Sequence, residues 1–218
     1  MDSGDDMDAL PQPRDDYTTG VLDEGSVPDD PIELLRHWLD AAVAAEVPEP
    51  TAATLATVDR DGRPDARVVL LRGSDERGVW WFTNRRSAKG EQLRANPVGA
   101  VVAYWPLLER QVRLRGPVED LPDEESDAYF ASRPLASRIG AWASEQSAPI
   151  ADRTALEARV AEVEHRFPDG PRTRPPDWGG QLLRPGQVEF WQGRPARLHD
   201  RLRYVRSPRG WDLQRLQP

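Results

Sequence analysis

The sequence predicts a mainly β chain with helical inserts, an α+β fold built on an antiparallel sheet. Short strand-like runs follow one another from residue 53 to residue 118, spaced too closely to leave room for crossover helices. Turn residues punctuate them: Asp61-Gly62, the stretch from Gly73 to Gly78, Pro97 and Pro106. Helical periodicity is confined to separate segments beside these runs. A sheet of this kind can close into a barrel.

Order begins at Asp30, a good N-cap. Pro31 suits the first helical position and Glu33 completes a capping box, after which Leu34, Leu35, Trp38, Leu39, Ala42 and Val43 recur at helical spacing towards Pro48. Strands are expected over Ala53 to Val58, Ala66 to Leu71, Val79 to Thr83, Val98 to Trp105 and Gln111 to Val118. Helices are expected over Ser87 to Ala95, Asp123 to Ser132 and Arg153 to Phe167, the last with Leu156, Val160, Val163 and Phe167 on one face. After a proline-rich loop from Pro168 to Pro176, final strands fall near Gln187 to Gln192, Arg197 to Val205 and Trp211 to Leu216.

At 218 residues, with 38% hydrophobic and 30% charged side chains, the chain can bury a core and is not wholly disordered. It reads as one domain over residues 30–218 behind a flexible acidic arm over 1–29, rich in Gly, Pro and Ser. Ten acids against Arg14 alone fill residues 1–30, so the net charge of -8 sits there and the remainder holds 27 acids against 28 bases. No run is apolar enough to span a membrane, and the acidic start is the opposite of a secretory leader. With no cysteine, a cytoplasmic location is expected, and disulfides and thiolate metal sites are excluded. His37, His165 and His199 are too scattered for a zinc site, so no metal is expected. The basic residues of the C-terminal part alternate with core-type residues instead of forming a run, which argues against nucleic acid.

No glycine-rich phosphate loop is present. Ser87-Ala88-Lys89 opens a helix after the strand ending at Thr83, so free N–H groups and an ammonium meet there, with Arg67 on the neighbouring strand. A capped helix carrying a surface lysine is the alternative. Lys89 is the one lysine among 29 basic residues, whether by compositional bias or because a compact ammonium is wanted. In Glu189 to Arg201, a hairpin turn over Gly193 to Ala196 followed by strand alternation puts Arg197, His199 and Arg201 on one face and Leu198 on the other. Such a face suits an anion, or equally a solvated edge. Tyr129 and Arg133, four apart on a helix, read on their own as a packed tyrosine and a solvated arginine, with Ser137 in a turn beyond Pro134. Trp142 and Trp178 read as core or interface residues.

The stretch VEFWQGRPARLHDR resembles the signature of the pyridoxamine 5'-phosphate oxidase family, supported by ARVVLLR, WWFTN with SAKGEQL, LLERQV, YFASRP, IGAWASEQS and RLQP. The resemblance implies a Greek-key-like split β-barrel that forms a homodimer and holds FMN at the subunit interface. It places Arg67 and Lys89 on the flavin phosphate, and Val68, Val69, Leu70, Leu71, Arg72, Phe82 and Thr83 along the flavin. Gln111, Gln146, Ser147, Trp191 and Arg201 fall on the remaining FMN contacts. Arg72, Tyr129, Arg133 and Ser137 match the grip on the substrate phosphate. Arg197, Leu198 and His199 match the segment facing the pyridine ring, with Arg197 and His199 as catalytic residues. Arg14 and Tyr17 resemble a segment closing over the site. Many relatives carry lysine at position 72 and arginine at position 88, where this chain has Arg72 and Ala88.

The implied function is oxidation of pyridoxamine or pyridoxine 5'-phosphate to pyridoxal 5'-phosphate with dioxygen as acceptor. A related flavin oxidase acting on another substrate, such as a phenazine precursor, and a non-catalytic flavin or vitamer carrier are the alternatives.

Overall fold

The computed structural model describes residues 17–218. The first helix, α1 (Pro31–Ala44), starts where Asp30 accepts from the Ile32 N–H at 2.9 Å. The capping box does not close: Glu33 instead lies 3.9 Å from His37 Nε2. Leu34, Leu35, Trp38 and Ala42 face the core, while Val43, about 140° round the helix from Trp38, is exposed.

The strands are β1 (Ala52–Val58), β2 (Pro64–Leu70), β3 (Gly73–Asp75), β4 (Gly78–Asn84), β5 (Val98–Trp105), β6 (Arg110–Asp120), β7 (Trp178–Leu183), β8 (Gln187–Gln192), β9 (Asp200–Ser207) and β10 (Gly210–Arg215). Helix α2 (Ala88–Ala95) follows β4, α3 (Asp123–Ser132), α4 (Leu135–Ala143) and α5 (Arg153–Arg166) lie between β6 and β7. Each described pairing is antiparallel, in the order β10-β9-β8-β6-β5-β1-β2. The long β6 curls the sheet. Arg110 to Arg115 pair with β8, whereas Val118 to Asp120 pair with β7, which continues to β4 and β3. This is the curled, antiparallel split barrel expected. Leu55, Trp81, Val101, Val112, Leu114, Leu183, Phe190 and Leu202 fill it.

Four further readings, of strands and turns, need correction. The stretch from Gly73, read as a turn, contains β3, hairpinned onto β4. β7 lies beyond the predicted strands because all six of its residues are buried and none of the alternation that marks a strand survives. Ser137 is on the first turn of α4, not in a turn, since Pro134 ends one helix and leads directly into the next. β9 begins at Asp200, so Arg197 and His199 do not alternate along a strand with Arg201. They lie instead in a connection whose 3-10 turn, Pro195–Arg197, has φ of 54° at Ala196 and 60° at Arg197.

The predicted apolar stripe of α5 is only half-buried, on α4. Residues 17–29, expected to be part of a flexible arm, are mostly exposed but anchored at Leu22 and Glu24. Leu22 is in the core, its N–H donates to Asp200 at 3.2 Å, and Arg215 grips both its carbonyl and Glu24. Among the described residues no helix is long and apolar enough to cross a membrane.

Candidate active site

A cavity of about 830 Å³ opens between β2, β4, α2, α3 and α4. Of the residues singled out in the sequence, Arg67, Val68, Val69, Leu70, Arg72, Phe82, Thr83, Lys89, Tyr129, Arg133, Ser137 and Gln146 line it. Strand alternation turns Val68 outwards, 66% exposed, and Val69 into the core. Leu71 is a core side chain, so only its backbone is left to meet a ligand.

At one end lie Arg67 and Lys89. The Arg67 guanidinium donates to Thr57 Oγ1 at 2.6 Å, to Asp65 at 2.5 Å and to Gln92 Oε1 at 2.8 Å. Gln92 also donates to Asp65 at 3.0 Å and accepts from Thr57 at 2.5 Å, so β1, β2 and α2 are locked about this one cation. Ser87 caps α2 and accepts from Gly90 N at 3.4 Å. Lys89 follows on the first turn and is 8% exposed. Its Nζ donates to Ser87 Oγ at 3.3 Å and Gln146 Oε1 at 3.1 Å, with no carboxylate partner among the described residues. Burial, with Arg67 beside it, pushes its pKa down to about 8. Two cations, one without a counter-charge, suit a phosphate.

The other end is aromatic and basic. Phe82 stacks on Tyr129 with ring centroids 3.8 Å apart, and Trp178 lies parallel to Phe82 at 5.4 Å. Trp178, read as core or interface, thus also lines the cavity; its place in the unpredicted β7 hid it. Trp142, by contrast, donates to Thr173 O and packs on Phe167. Arg133 sits 4.9 Å over Trp178, and its Nη1 is buried without a hydrogen-bond partner among the described residues. Burial pushes the Arg133 pKa below the ordinary guanidinium value, Tyr129 acts the other way, and Arg72 lowers it further. An orphaned guanidinium N–H beside a second guanidinium is a site prepared for an anion.

Most of the remaining named residues form a second cluster outside this cavity. Register places Tyr104, Gln111, Trp191 and Arg201 in one row across β5, β6, β8 and β9, on the face opposite core residues Val112, Phe190 and Leu202. Arg201 is bound to the buried Glu189 at 2.8 Å, which Arg113 also holds. Tyr17 packs over Gly193, where any side chain would collide with it, and meets Trp191 at 5.7 Å and His199 at 5.5 Å. His199 Nδ1 accepts from Arg194 N at 3.1 Å; burial, then the Arg197 charge, lower its pKa from 6.5. Arg197 and Leu198 are exposed beside it. Ser147, at φ 73°, lines a smaller neighbouring cavity. Arg14 lies outside the described residues.

Sequence reasoning missed Gln92, one turn beyond Lys89 on α2, and Tyr104, whose place in the row depends on the β5–β6 register. Helical spacing from Lys89 could have found the first.

The family description "Pyridoxamine 5'-phosphate oxidase" matches residues 39–167, and "Pyridoxine 5'-phosphate oxidase C-terminal dimerisation region" matches residues 178–218. The chain belongs to the pyridoxamine 5'-phosphate oxidase family. It is therefore an oxidoreductase of that family, and the second match supports a homodimer. The chain is 54% identical over 213 residues to pyridoxine/pyridoxamine 5'-phosphate oxidase 1 of Ralstonia nicotianae, covering 97% of this chain and 100% of the relative. It is 53% identical to a Pseudomonas paraeruginosa protein named pyridoxine/pyridoxamine 5'-phosphate oxidase, covering 96% and 99%. Among solved structures, PhzG from Burkholderia lata, in complex with tetrahydrophenazine-1-carboxylic acid, superposes with a TM-score of 0.85 at 36% identity over 91% of this chain and 98% of that one. A pyridoxamine 5'-phosphate oxidase-related, FMN-binding protein from Nostoc punctiforme shares the fold, with a TM-score of 0.68 at 24% identity over 85% and 96% of the two chains.

Proposed function

We propose that this chain is an FMN-dependent oxidase converting pyridoxamine 5'-phosphate and pyridoxine 5'-phosphate to pyridoxal 5'-phosphate, with dioxygen as acceptor and hydrogen peroxide as the second product. The observation that carries this reading is a single cavity holding two separate anion grips, one at Arg67 and Lys89 and one at Arg72 and Arg133. Both cofactor and substrate are phosphate monoesters, so each grip has a ligand.

The donor set fits FMN. Lys89 and Arg67 would hold its phosphate, and β2 from Val68 to Leu70 with Phe82 and Thr83 would flank the rest. When bound, the flavin supplies the redox chemistry, taking up a hydride from the substrate C4' carbon and passing electrons on to dioxygen. Arg72, Arg133, Ser137 and Tyr129 fix the other phosphate, which removes the substrate's freedom to turn. The Phe82–Tyr129 stack gives that end an apolar wall.

Two copies of the chain complete the site in this reading. The row Gln111, Trp191, Arg201, with Arg197 and His199, is contributed by the partner protomer to the cavity of the first. Support comes from the family match of residues 178–218 and from the separation of the two clusters within one chain. His199, kept neutral with Nδ1 accepting from the Arg194 N–H, presents Nε2–H as a donor, and Arg197 adds positive charge. Both orient the pyridine ring; Tyr17 covers His199 and limits water there.

Adding pyridoxamine 5'-phosphate to the yellow protein without air tests this. Bleaching of the flavin absorbance, recovered on admitting air with formation of hydrogen peroxide, is expected. Persistent colour would reduce the protein to a carrier.

The likeness to PhzG favours a second reading, oxidation of a phenazine precursor. Comparing pyridoxamine 5'-phosphate with unphosphorylated pyridoxamine decides between them. A site built on Arg72 and Arg133 strongly prefers the phosphorylated form, and equal rates would favour the second reading.

A further inference from the structure

Lys89 is the single lysine of the chain, so the other 28 basic side chains are guanidiniums. Guanidiniums stay protonated in proteins and do not condense with aldehydes, whereas a neutral amine does. The one side-chain amine is also not on the surface. It lines the large cavity within a shell that includes Arg67, Ser87 and Gln146, and it has no carboxylate to hold its proton among the described residues. The same cavity carries Arg72 and Arg133, the second with a buried N–H that lacks a partner.

We propose that Lys89 is a carbonyl-capture site: in the flavin-free protein its amine condenses with a phosphorylated aromatic aldehyde drawn into the cavity by the arginines. This rests on the reading above, which makes pyridoxal 5'-phosphate the product. Nζ attacks the aldehyde carbon, a C=N bond forms, the aldehyde oxygen leaves as water, and nothing is oxidised or reduced. The lowered pKa of about 8 leaves a substantial neutral fraction near that pH, where an ordinary lysine with a pKa of 10.5 would be almost wholly charged. A flavin phosphate against Lys89 favours the ammonium and covers it, so capture belongs to the protein before flavin loading. An imine there would keep FMN out, and freely available product would slow assembly of the active protein. The arginine-only surface prevents the same product from tagging other side chains.

The full-length protein, flavin-loaded or stripped, is incubated with pyridoxal 5'-phosphate, reduced with borohydride and mapped by peptide mass spectrometry. A phosphopyridoxyl group on Lys89 is expected in the stripped protein, at least several-fold less when FMN is added first, with labelling that rises as pH passes through about 8. The reduced adduct no longer quenches FMN fluorescence. Attachment confined to the N-terminal α-amine of the stripped protein overturns the proposal. Equal labelling of Lys89 with and without FMN upholds capture and overturns instead the placement of the flavin phosphate at this amine. Because attachment is read on the unaltered chain, the result does not depend on the folding of Lys89→Arg, which serves as the unlabelled control.

Discussion

Gln146 Oε1 accepts from Lys89 Nζ at 3.1 Å and from Thr83 Oγ1 at 2.9 Å. The Asn84 N–H points to the same oxygen at 3.4 Å, so an ammonium, a hydroxyl and an amide converge on one amide oxygen. Those are the donors a phosphate oxygen would use. Gln146→Glu replaces that oxygen with a carboxylate that pairs with Lys89 and repels a phosphate. FMN affinity should fall by about 10-fold or more, the worth of one charge-assisted hydrogen bond. Fluorescence titration with FMN checks this; unchanged affinity would remove Lys89 from the phosphate grip.

Arg133 tests the second grip. Its Nη1 is buried without a partner among the described residues, so on the proposed reading Arg133→Ala removes a donor to the substrate phosphate. KM for pyridoxamine 5'-phosphate should rise about 10- to 100-fold, as expected for a lost hydrogen bond to a charged group. Activity on unphosphorylated pyridoxamine should barely change. An equal loss on both substrates would show that Arg133 supports the Trp178 stack rather than the phosphate.

His199 predicts an acid limb. Its pKa is lowered from 6.5, so it is neutral at pH 7, and protonation on acidification removes the Nδ1 acceptor used by Arg194 N–H. The limb in kcat/KM should therefore lie below pH 6.5. It should disappear in His199→Asn, whose residual rate is low but flat across that range. A limb unmoved by the substitution would assign it to another group.

Glu189 links the C-terminal row to stability. Burial raises its pKa, but the hydrogen bonds and the positive charges of Arg113 and Arg201 together outweigh burial and hold the carboxyl below 4.5. A carboxyl with a depressed folded pKa contributes stability above the unfolded value that is lost as pH falls through the folded one. Tm should hold down to about pH 5 and then drop more steeply than in Glu189→Gln, which should itself cost about 1–3 kcal/mol at pH 7. Thermal melts from pH 3 to pH 7 measure both.

Gly90 is set by close approach rather than by a turn. A Cβ there would overlap the Arg85 backbone carbonyl, which cannot move without shifting α2 and Lys89 with it. Gly90→Ala should lower stability by about 1–3 kcal/mol, the usual cost of overpacking, and weaken FMN binding at the same time. Retention of full FMN affinity in a destabilised variant would separate the helix position from the phosphate grip.

Much of the architecture was legible because its signals are local. Asp30-Pro31 starts α1, Ser87 caps α2, and alternation or turn residues mark β1, β2, β4, β5 and β6 within a few positions in the chain. The signature from Val188 to Arg201 and the pairing of Arg67 with Lys89 could likewise be read from residue types and their resemblance to a family. The missing parts depend on partners far away in sequence. β7 is recognisable only once β4 and β6 pair along its two edges, and Trp178 reaches the cavity only through that strand.

The sequence by itself determined the residue chemistry: which side chains carry charge, that one amine stands among guanidiniums, and where helices and most strands begin. Only the tertiary structure decided how that chemistry is divided. The switch of β6 between two neighbours and the left-handed backbone at Ala196 and Arg197 put Arg67, Lys89, Arg72 and Arg133 in one cavity and Arg197, His199 and Trp191 in another cluster. Register and chain reversal are set by contacts summed over the whole sheet, and no window of neighbouring residues contains that sum.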